Sequence, residues 1–308
     1  MEQQSQAADR PKISVIIASV SGRACLSECL ESLERQTLRD QAEVIVANSC
    51  GIGIANLLRG YSGVRLLSFD QRKTIPELLA VAMKHARGDI IAVTEDHCLA
   101  EHHWYERILA AHQEHHGAIG GAVENGRADT VLDWAEFLCE YYECMSPVPK
   151  GEVGEIPGNN ASYPREFLAY WQDLLELGYW GWFLHQRLRE KGVKFYSDPS
   201  IVVVHKISFG FADFLSQRFH FSRSFAAQRT RRSSLLARVV YAGLCPFLPI
   251  VVLGRIGAKV WQKGLTRRLL PALPLLVIFS LAWAWGEFRG YLLGPGDSTQ
   301  KVGHLDSK

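Results

Sequence analysis

Neither sign of charge dominates this chain. Lys and Arg total 34 against 32 Asp and Glu in 308 residues, a formal net charge of +2. Nucleic-acid binding rests on a concentrated positive field, and the overall balance argues against it. The seven cysteines, Cys25, Cys29, Cys50, Cys98, Cys139, Cys144 and Cys245, include no CxxC pair and follow no regular spacing. Reduced thiols in a cytosolic compartment are expected instead of a disulfide framework. Met1 to Lys12 is polar and lacks the apolar core of a signal peptide, so a frayed tail is expected. No Gly-rich triphosphate loop with a following Lys stands near the first strand, which leaves a nucleotidyltransferase without support.

What is present is an alternation of strands and helices. Ile13 to Ala18 is a β-branched run of the kind buried on both faces of a parallel sheet. A Ser/Gly turn follows, then Leu26, Cys29, Leu30 and Leu33 at helical spacing. Glu43–Ala47, Val64–Phe69 and Asp89–Thr94 read as further strands. Thr74 and Glu77 have capping-box spacing with Pro76 in the first turn, which predicts a helix running to about Arg87 and stopped by Gly88. This order implies an α/β, doubly wound, mostly parallel sheet with its ligand site at the carboxyl ends of the strands. Trp104–His116 reads as helix, Ala118–Glu124 as strand, and 145–158 as a loop over the site. Phe167–Gly192 reads as mostly helical, and Ile201–Val204 as a strand closed by His205.

Apolar residues concentrate late. Leu235–Gly254 and Leu269–Trp285 each approach the ~20 residues that span a bilayer. Arg238, Pro246 and Pro249 weaken the first stretch, and the intervening loop carries Arg255, Lys259, Lys263, Arg267 and Arg268. Membrane attachment is expected, either as a hairpin or as an interfacial helix. Trp283, Trp285 and Arg289 mark an interface at the end of the second stretch.

The segment richest in chemistry is Thr94-Glu95-Asp96-His97-Cys98, just past a buried strand. Two acids and an imidazole there can hold a divalent cation, and the histidine suits manganese better than magnesium. The competing reading is a solvated acidic turn. His102, His103, His112, His115 and His116 crowd one helix without a clean ligand pair and read as solvated surface.

Lys12–Ile17, Cys29–Thr37, Glu43–Val46 and Gly88–Val93 leading into Glu95-Asp96-His97 resemble glycosyltransferase family 2, which has the GT-A fold. The resemblance covers about residues 12–210. It implies an enzyme transferring a hexose-type sugar from a nucleotide-diphosphate donor, usually metal-dependent and inverting. On it, Glu95 takes the ribose-facing position, Asp96 and His97 meet donor and metal, and His205 is a second metal or diphosphate contact. Ser19 and Asn48 fall near the nucleoside. Arg218 and Arg223 either reach the diphosphate or meet anionic lipid head groups. Pro157–Arg165 resembles the acceptor-side strand and turn, which places Asn160 there, and Trp180 and Trp182 can stack on a sugar ring and shape the acceptor side.

The sequence departs from the family at three points: the Asp-x-Asp motif reads Glu95-Asp96-His97, Ala47-Asn48-Ser49-Cys50 stands where the family has acids that hold the nucleoside, and the third concerns the general base. Where the family carries its acidic general base, this chain reads Trp180–Leu188 with no carboxylate. Asp173, Glu176 and His185 are the nearby candidates for a base that must reach the acceptor hydroxyl. The expected layout is a tail at 1–11, a GT-A domain at 12–210, a basic amphipathic connector at 211–234, membrane-associated helices at 235–294 and a tail at 295–308. The expected acceptor is lipid-linked or a membrane-proximal glycan, with the catalytic domain on the cytoplasmic side. The alternative is a catalytically silent, transferase-like binding protein in a membrane polysaccharide assembly.

Overall fold

The computed structural model describes residues 10–20, 23–49, 54–170 and 181–302. Packing divides the chain into two units, Met1–Glu124 with Cys144–Lys206, and Asn125–Glu143 with Ile207–Lys308. The strands are Ile13–Ser19 (β1), Ala42–Ser49 (β2), Val64–Phe69 (β3), Ile90–Glu95 (β4), Cys98–Ala100 (β5), Ala118–Asn125 (β6), Gly151–Val153 (β7), Ala161–Pro164 (β8) and Phe195–His205 (β9). The described α-helices are Arg23–Glu34 (α1), Ile54–Leu58 (α2), Ile75–Lys84 (α3), Trp104–Glu114 (α4), Val131–Tyr141 (α5), Gly181–Glu190 (α6), Phe211–Arg229 (α7), Leu235–Leu244 (α8), Leu248–Gln262 (α9), Thr266–Leu293 (α10) and Ser298–Val302 (α11).

The first unit is built on one mixed sheet in the order β3-β2-β1-β4-β8-β6-β9-β5, with β7 also on β9. The pairs β3–β2, β2–β1 and β1–β4 are parallel, whereas β4–β8, β6–β8, β5–β9 and β7–β9 are antiparallel. All seven residues of β1 are buried, as its uninterrupted β-branched run requires. Ile16, Ile45, Ile91 and Val93 pack with Leu78, Leu79 and Met83 of α3 and with Leu184 and Leu188 of α6. Each such side chain contributes roughly 1.5–3 kcal/mol relative to exposure.

The capping box forms, with Glu77 N donating to Thr74 Oγ1 and Thr74 N to a Glu77 carboxylate oxygen. The helix it opens stops at Lys84, earlier than the spacing predicts. Residues 87 and 88 are held by a buried polar knot instead. Arg87 N and Ser14 Oγ both donate to Glu43 Oε1 at 2.7 Å, and Gly88 N donates to Ser14 Oγ at 2.7 Å. Burial raises the Glu43 carboxyl, but the bonds from Ser14 and Arg87 outweigh it and hold it below its ordinary value. A 420 Å³ cleft lined by Arg10, Asp40, Glu43, Arg65 and Arg87 lies here, at the amino ends of the strands. Glu43 pairs with Arg87, and Asp89 with Arg10.

The stretch 145–158 is only partly loop. Gly151–Val153 pairs with Ser197–Phe195 of β9 and is stitched into the sheet. His112 also departs from the surface reading. Its Nε2 lies 2.9 Å from Ser162 Oγ, and burial lowers its pKa to about 3. A folded-state value below the usual imidazole value means the unfolded chain binds more protons between about pH 6.5 and 3. Stability is therefore expected to be lost as pH falls through that window, by up to about 1.4 kcal/mol per pH unit from this group. Acid unfolding of His112→Gln, with no proton to gain there, should show a shallower slope than the parent.

In the second unit, α5 opens on another capping box, Thr130 with Asp133. α7 and α10 pack closely through Gly286 and Gly290. A Cβ on Gly286 would stand 1.9 Å from Ser222 Oγ, and one on Gly290 2.4 Å from Arg223 O. Only glycine admits that approach. Glu136 of α5 accepts from Phe209 N at 2.9 Å, and burial pushes its carboxyl up to about 8. A raised acid stabilises the fold while protonated, so this contribution is lost as pH rises from about 4.5 through 8. Glu136→Gln should therefore raise the melting temperature at pH 8.5 by several degrees and leave it nearly unchanged near pH 4.

Candidate active site

β1 lies between β2 and β4, and helices follow β1 and β2 before the chain returns as β4. Ligand sites of doubly wound sheets form at such a switch point, outside the carboxyl ends. Register brings Ser19 opposite Asn48 and Ala18 opposite Glu95. Asn48 Nδ2 donates to Ser19 O at 2.8 Å. Ser19 Oγ and Asn48 Oδ1 are buried without a hydrogen-bond partner among the described residues. The structure thus collects two polar atoms beside the acidic end of β4.

Beyond β4 the chain turns sharply into β5. Asp96, 1% exposed, accepts from Val20 N at 2.8 Å through Oδ2 and meets His97 Nδ1 at 3.0 Å through Oδ1. That bond assigns the Nδ1 proton toward Asp96 and turns Nε2 the other way, a common arrangement behind metal-binding histidines. Antiparallel pairing of β5 with β9 sets Cys98 opposite His205, and Lys206 N donates to His97 O. The two imidazoles meet edge to face with Nε2 atoms 3.1 Å apart. Glu95 Oε2 stands 3.3 Å from His97 Nε2 and 4.0 Å from His205 Nε2. Asn159 Nδ2 donates to the same Glu95 oxygen at 3.0 Å.

Electrostatics within this knot are uneven. Burial lowers His97, but its bonds to Asp96 and Glu95 prevail and hold it well above the usual imidazole value. Burial, then the neighbouring His97 charge, lowers His205 to about 3. Burial raises Glu95, yet His97, His205 and Asn159 together bring it to about 2. Two carboxylates thus surround one positive charge.

Glu95, His97 and His205 offer ligand atoms that all lie within 4.8 Å of one another. Two donors at ~2.1 Å from a common ion and near right angles stand about 3 Å apart, so the donor spacing fits one divalent cation. Two nitrogens with one carboxylate suit manganese better than magnesium. The third member of the cluster is Glu95, where the sequence pointed to Asp96. Asp96 is spent on Val20 and on orienting His97.

Asn160, expected on the acceptor side, is instead a fastener. Its Nδ2 donates to Ala122 O at 2.9 Å and Ile201 O at 3.0 Å, while its Oδ1 accepts from Trp104 Nε1 at 2.9 Å. Its neighbour Asn159, in the same segment expected on the acceptor side, is the one that reaches Glu95. His185 is 2% exposed, with Nδ1 on Glu155 and Nε2 2.7 Å from Tyr163 OH. With both nitrogens engaged and the ring buried, the geometry gives it no path to an acceptor. Arg218 sits 4.0 Å over the Trp283 ring and 3.8 Å from Glu140, and Arg223 donates to Gly294 O. Both are tied into the helices of the second unit. Trp182 lies half-buried in the first turn of α6, against Phe183. Asp173, Glu176 and Trp180 fall outside the described residues.

A doubly wound half-sheet carrying an acidic-histidine cluster past its fourth strand defines a GT-A type of protein. Residues 14–170 match the sequence model of glycosyl transferase family 2, and the chain belongs to that family of glycosyltransferases. Comparison with curated protein sequences finds no match. Among solved structures, the fold is shared with mannosyltransferase PcManGT from Pyrobaculum calidifontis, in complex with GDP-Man and Mn2+. The two are 17% identical, with 90% of this chain and 88% of that one covered and a TM-score of 0.56. TarS 1–349 from S. aureus is 14% identical, with 90% and 91% covered and a TM-score of 0.50.

Proposed function

We propose that this chain transfers a hexose-type sugar from a nucleotide-diphosphate donor to a lipid-linked or membrane-proximal glycan, with inversion and with help from a divalent cation. The observation that carries the reading is the Glu95, His97 and His205 cluster at the carboxyl end of β4, in a chain of this family. Those three residues would hold the ion, and manganese or magnesium so held supplies charge neutralisation of the departing diphosphate. Asp96 fixes the His97 ring, and Asn159 aims the Glu95 carboxylate. Ser19 and Asn48 would meet the nucleoside through their unpartnered oxygens. Trp182, with Trp180, would present an indole face to the acceptor sugar. With His185 engaged elsewhere, Asp173 and Glu176 stand as the candidates for general base.

Two helical segments, Leu235–Gln262 and Thr266–Leu293, are long and apolar enough to cross a membrane by length and composition. They support a membrane-attached enzyme, and in this reading its transferase unit would face the cytoplasm.

Thermal unfolding of the detergent-purified chain with UDP, GDP, dTDP and CDP, each with and without manganese, tests the reading. Ligand at ~100 times its dissociation constant adds about 2.7 kcal/mol. A manganese-dependent shift with one nucleotide, lost in His97→Ala, supports it. No shift with any nucleotide would favour a catalytically silent scaffold protein.

A further inference from the structure

We infer that the helices α8 to α10 hold this chain against one leaflet of an anionic bilayer and lie along its surface without crossing it. The inference rests on the membrane attachment proposed above and concerns its geometry.

Length leaves both options open. The 28 residues of α10 extend ~42 Å at 1.5 Å per residue, more than the ~30 Å hydrocarbon core. What packs against α10 decides between them. Its inner face is covered by α7 over most of the second half. Phe211 and Phe214 meet Phe279, Arg218 stacks on Trp283, Ser222 abuts Gly286, and Arg229 donates to Tyr291 OH at 3.2 Å. The contacts advance together along both helices, so α7 and α10 run side by side in the same direction. At the other end Arg268 stands 4.9 Å over Trp134 of α5, and Lys263 donates to Glu143 O at 3.1 Å.

A crossing α10 would therefore draw α7 and α5 into the hydrocarbon with it. Neither is among the helices apolar enough to enter. α7 carries Asp213, Arg218, Arg223 and Arg229, and α5 carries Asp133, Glu136 and Glu140. Ionisable side chains along a segment at membrane depth are expensive even where some are paired within the bundle, as Arg218 is with Glu140. Held at both ends by such helices, α10 stays at the water boundary.

The outer face has the opposite character. Leu236 and Ile250 are 74% and 71% exposed, and Leu270, Leu281 and Trp285 also stand out from the surface. The same helices carry the exposed basic residues Arg255, Lys259, Arg267 and Arg268, of which Arg268 also lies over Trp134 and Arg255 bonds to Tyr142. From residue 230 to 302 the acids are Glu287 and Asp297. Glu287 is buried against Trp283 and Tyr291, and Asp297 is paired with Lys301 at 2.7 Å. An apolar face on helices whose exposed cations outnumber their acids fits an anionic leaflet, with the long basic side chains reaching the head groups.

The test uses the full chain carrying a specific protease site in the turn at Gly264, and a second version with the site appended after Lys308. In sealed vesicles where the appended site is cut, the turn site should be cut as readily. Protection of the turn until detergent is added would mean a crossing hairpin and overturn the inference, leaving membrane attachment intact. Should the insertion misfold, purified chain with Arg255, Lys259, Arg267 and Arg268 all changed to Gln is mixed with phosphatidylcholine vesicles, with and without phosphatidylglycerol. The parent should bind only the anionic vesicles, and the variant at least tenfold more weakly. Equal binding to both vesicle types would overturn the surface mode. No vesicle binding, with the apolar face covered by a second copy in light scattering, would overturn membrane attachment itself.

Discussion

His97→Ala is expected to lose manganese-dependent nucleotide binding and to reduce sugar transfer by more than ~100-fold, and His205→Ala to do the same. Both rings bring their Nε2 atoms to within 3.1 Å of one another beside Glu95, so removing either leaves two donors where the ion needs three. Asp96→Asn is expected to cost less, within the ~10–100-fold that loss of an outer partner of a metal-binding histidine brings. Asn still fills the buried space and accepts from Val20 N, but it no longer selects the His97 tautomer. His103→Ala is the control, since His103 is a surface residue paired with Glu106. Isothermal titration with manganese, and initial rates with the donor identified by thermal shift, give the measurements. Unchanged manganese affinity in both alanine variants would sink the assignment of this cluster.

Asn160→Ala is expected to be the most destabilising single change at a polar position in the first unit, at about 3–5 kcal/mol. The amide is 1% exposed and satisfies three groups that have no route to water: the carbonyls of Ala122 and Ile201 and the indole N–H of Trp104. Each buried group left unpaired costs about 1–3 kcal/mol. Asn160→Asp should fare little better, because it keeps the acceptor for Trp104 but turns both donors into charge facing carbonyls. Urea unfolding at neutral pH measures the loss, and a change below about 1 kcal/mol would contradict the fastening role. Since Ile201 belongs to β9, manganese affinity should weaken secondarily as His205 loses its support.

These two expectations also mark where the sequence is legible. The strands β1 to β4 can be read from their β-branched runs, and α3 from Thr74, Pro76 and Glu77, because those signals are local. Glu95, Asp96 and His97 stand out for the same reason. Their division of labour does not, since it depends on Val20 N reaching Asp96 across the β1–α1 turn. Asn159 and Asn160 are adjacent and chemically identical, yet one faces Glu95 and the other ties β6 to β9. Only the positions of three separate strands distinguish them. His112 looks like its solvated neighbours until Ser162, fifty residues later, is folded over it. Arg218 and Arg223 advertise charge, but the aromatic and carbonyl partners that absorb it lie in α10 and just beyond. The second capping box, Thr130 with Asp133, is as local as the first.

The pairing of β5 with β9 has one further consequence. Glu95 and His97 leave the ribosome early, and His205 follows 108 residues after His97. A chain ended before β9 would retain the whole parallel half-sheet and still bind no ion in this manner. An ion bridging the early and late halves favours only the completed chain, by an amount that grows with its concentration over its dissociation constant. Were an ion held there, the site would be a clasp that closes last, and its binding would report that the first unit had been synthesised and folded to its end.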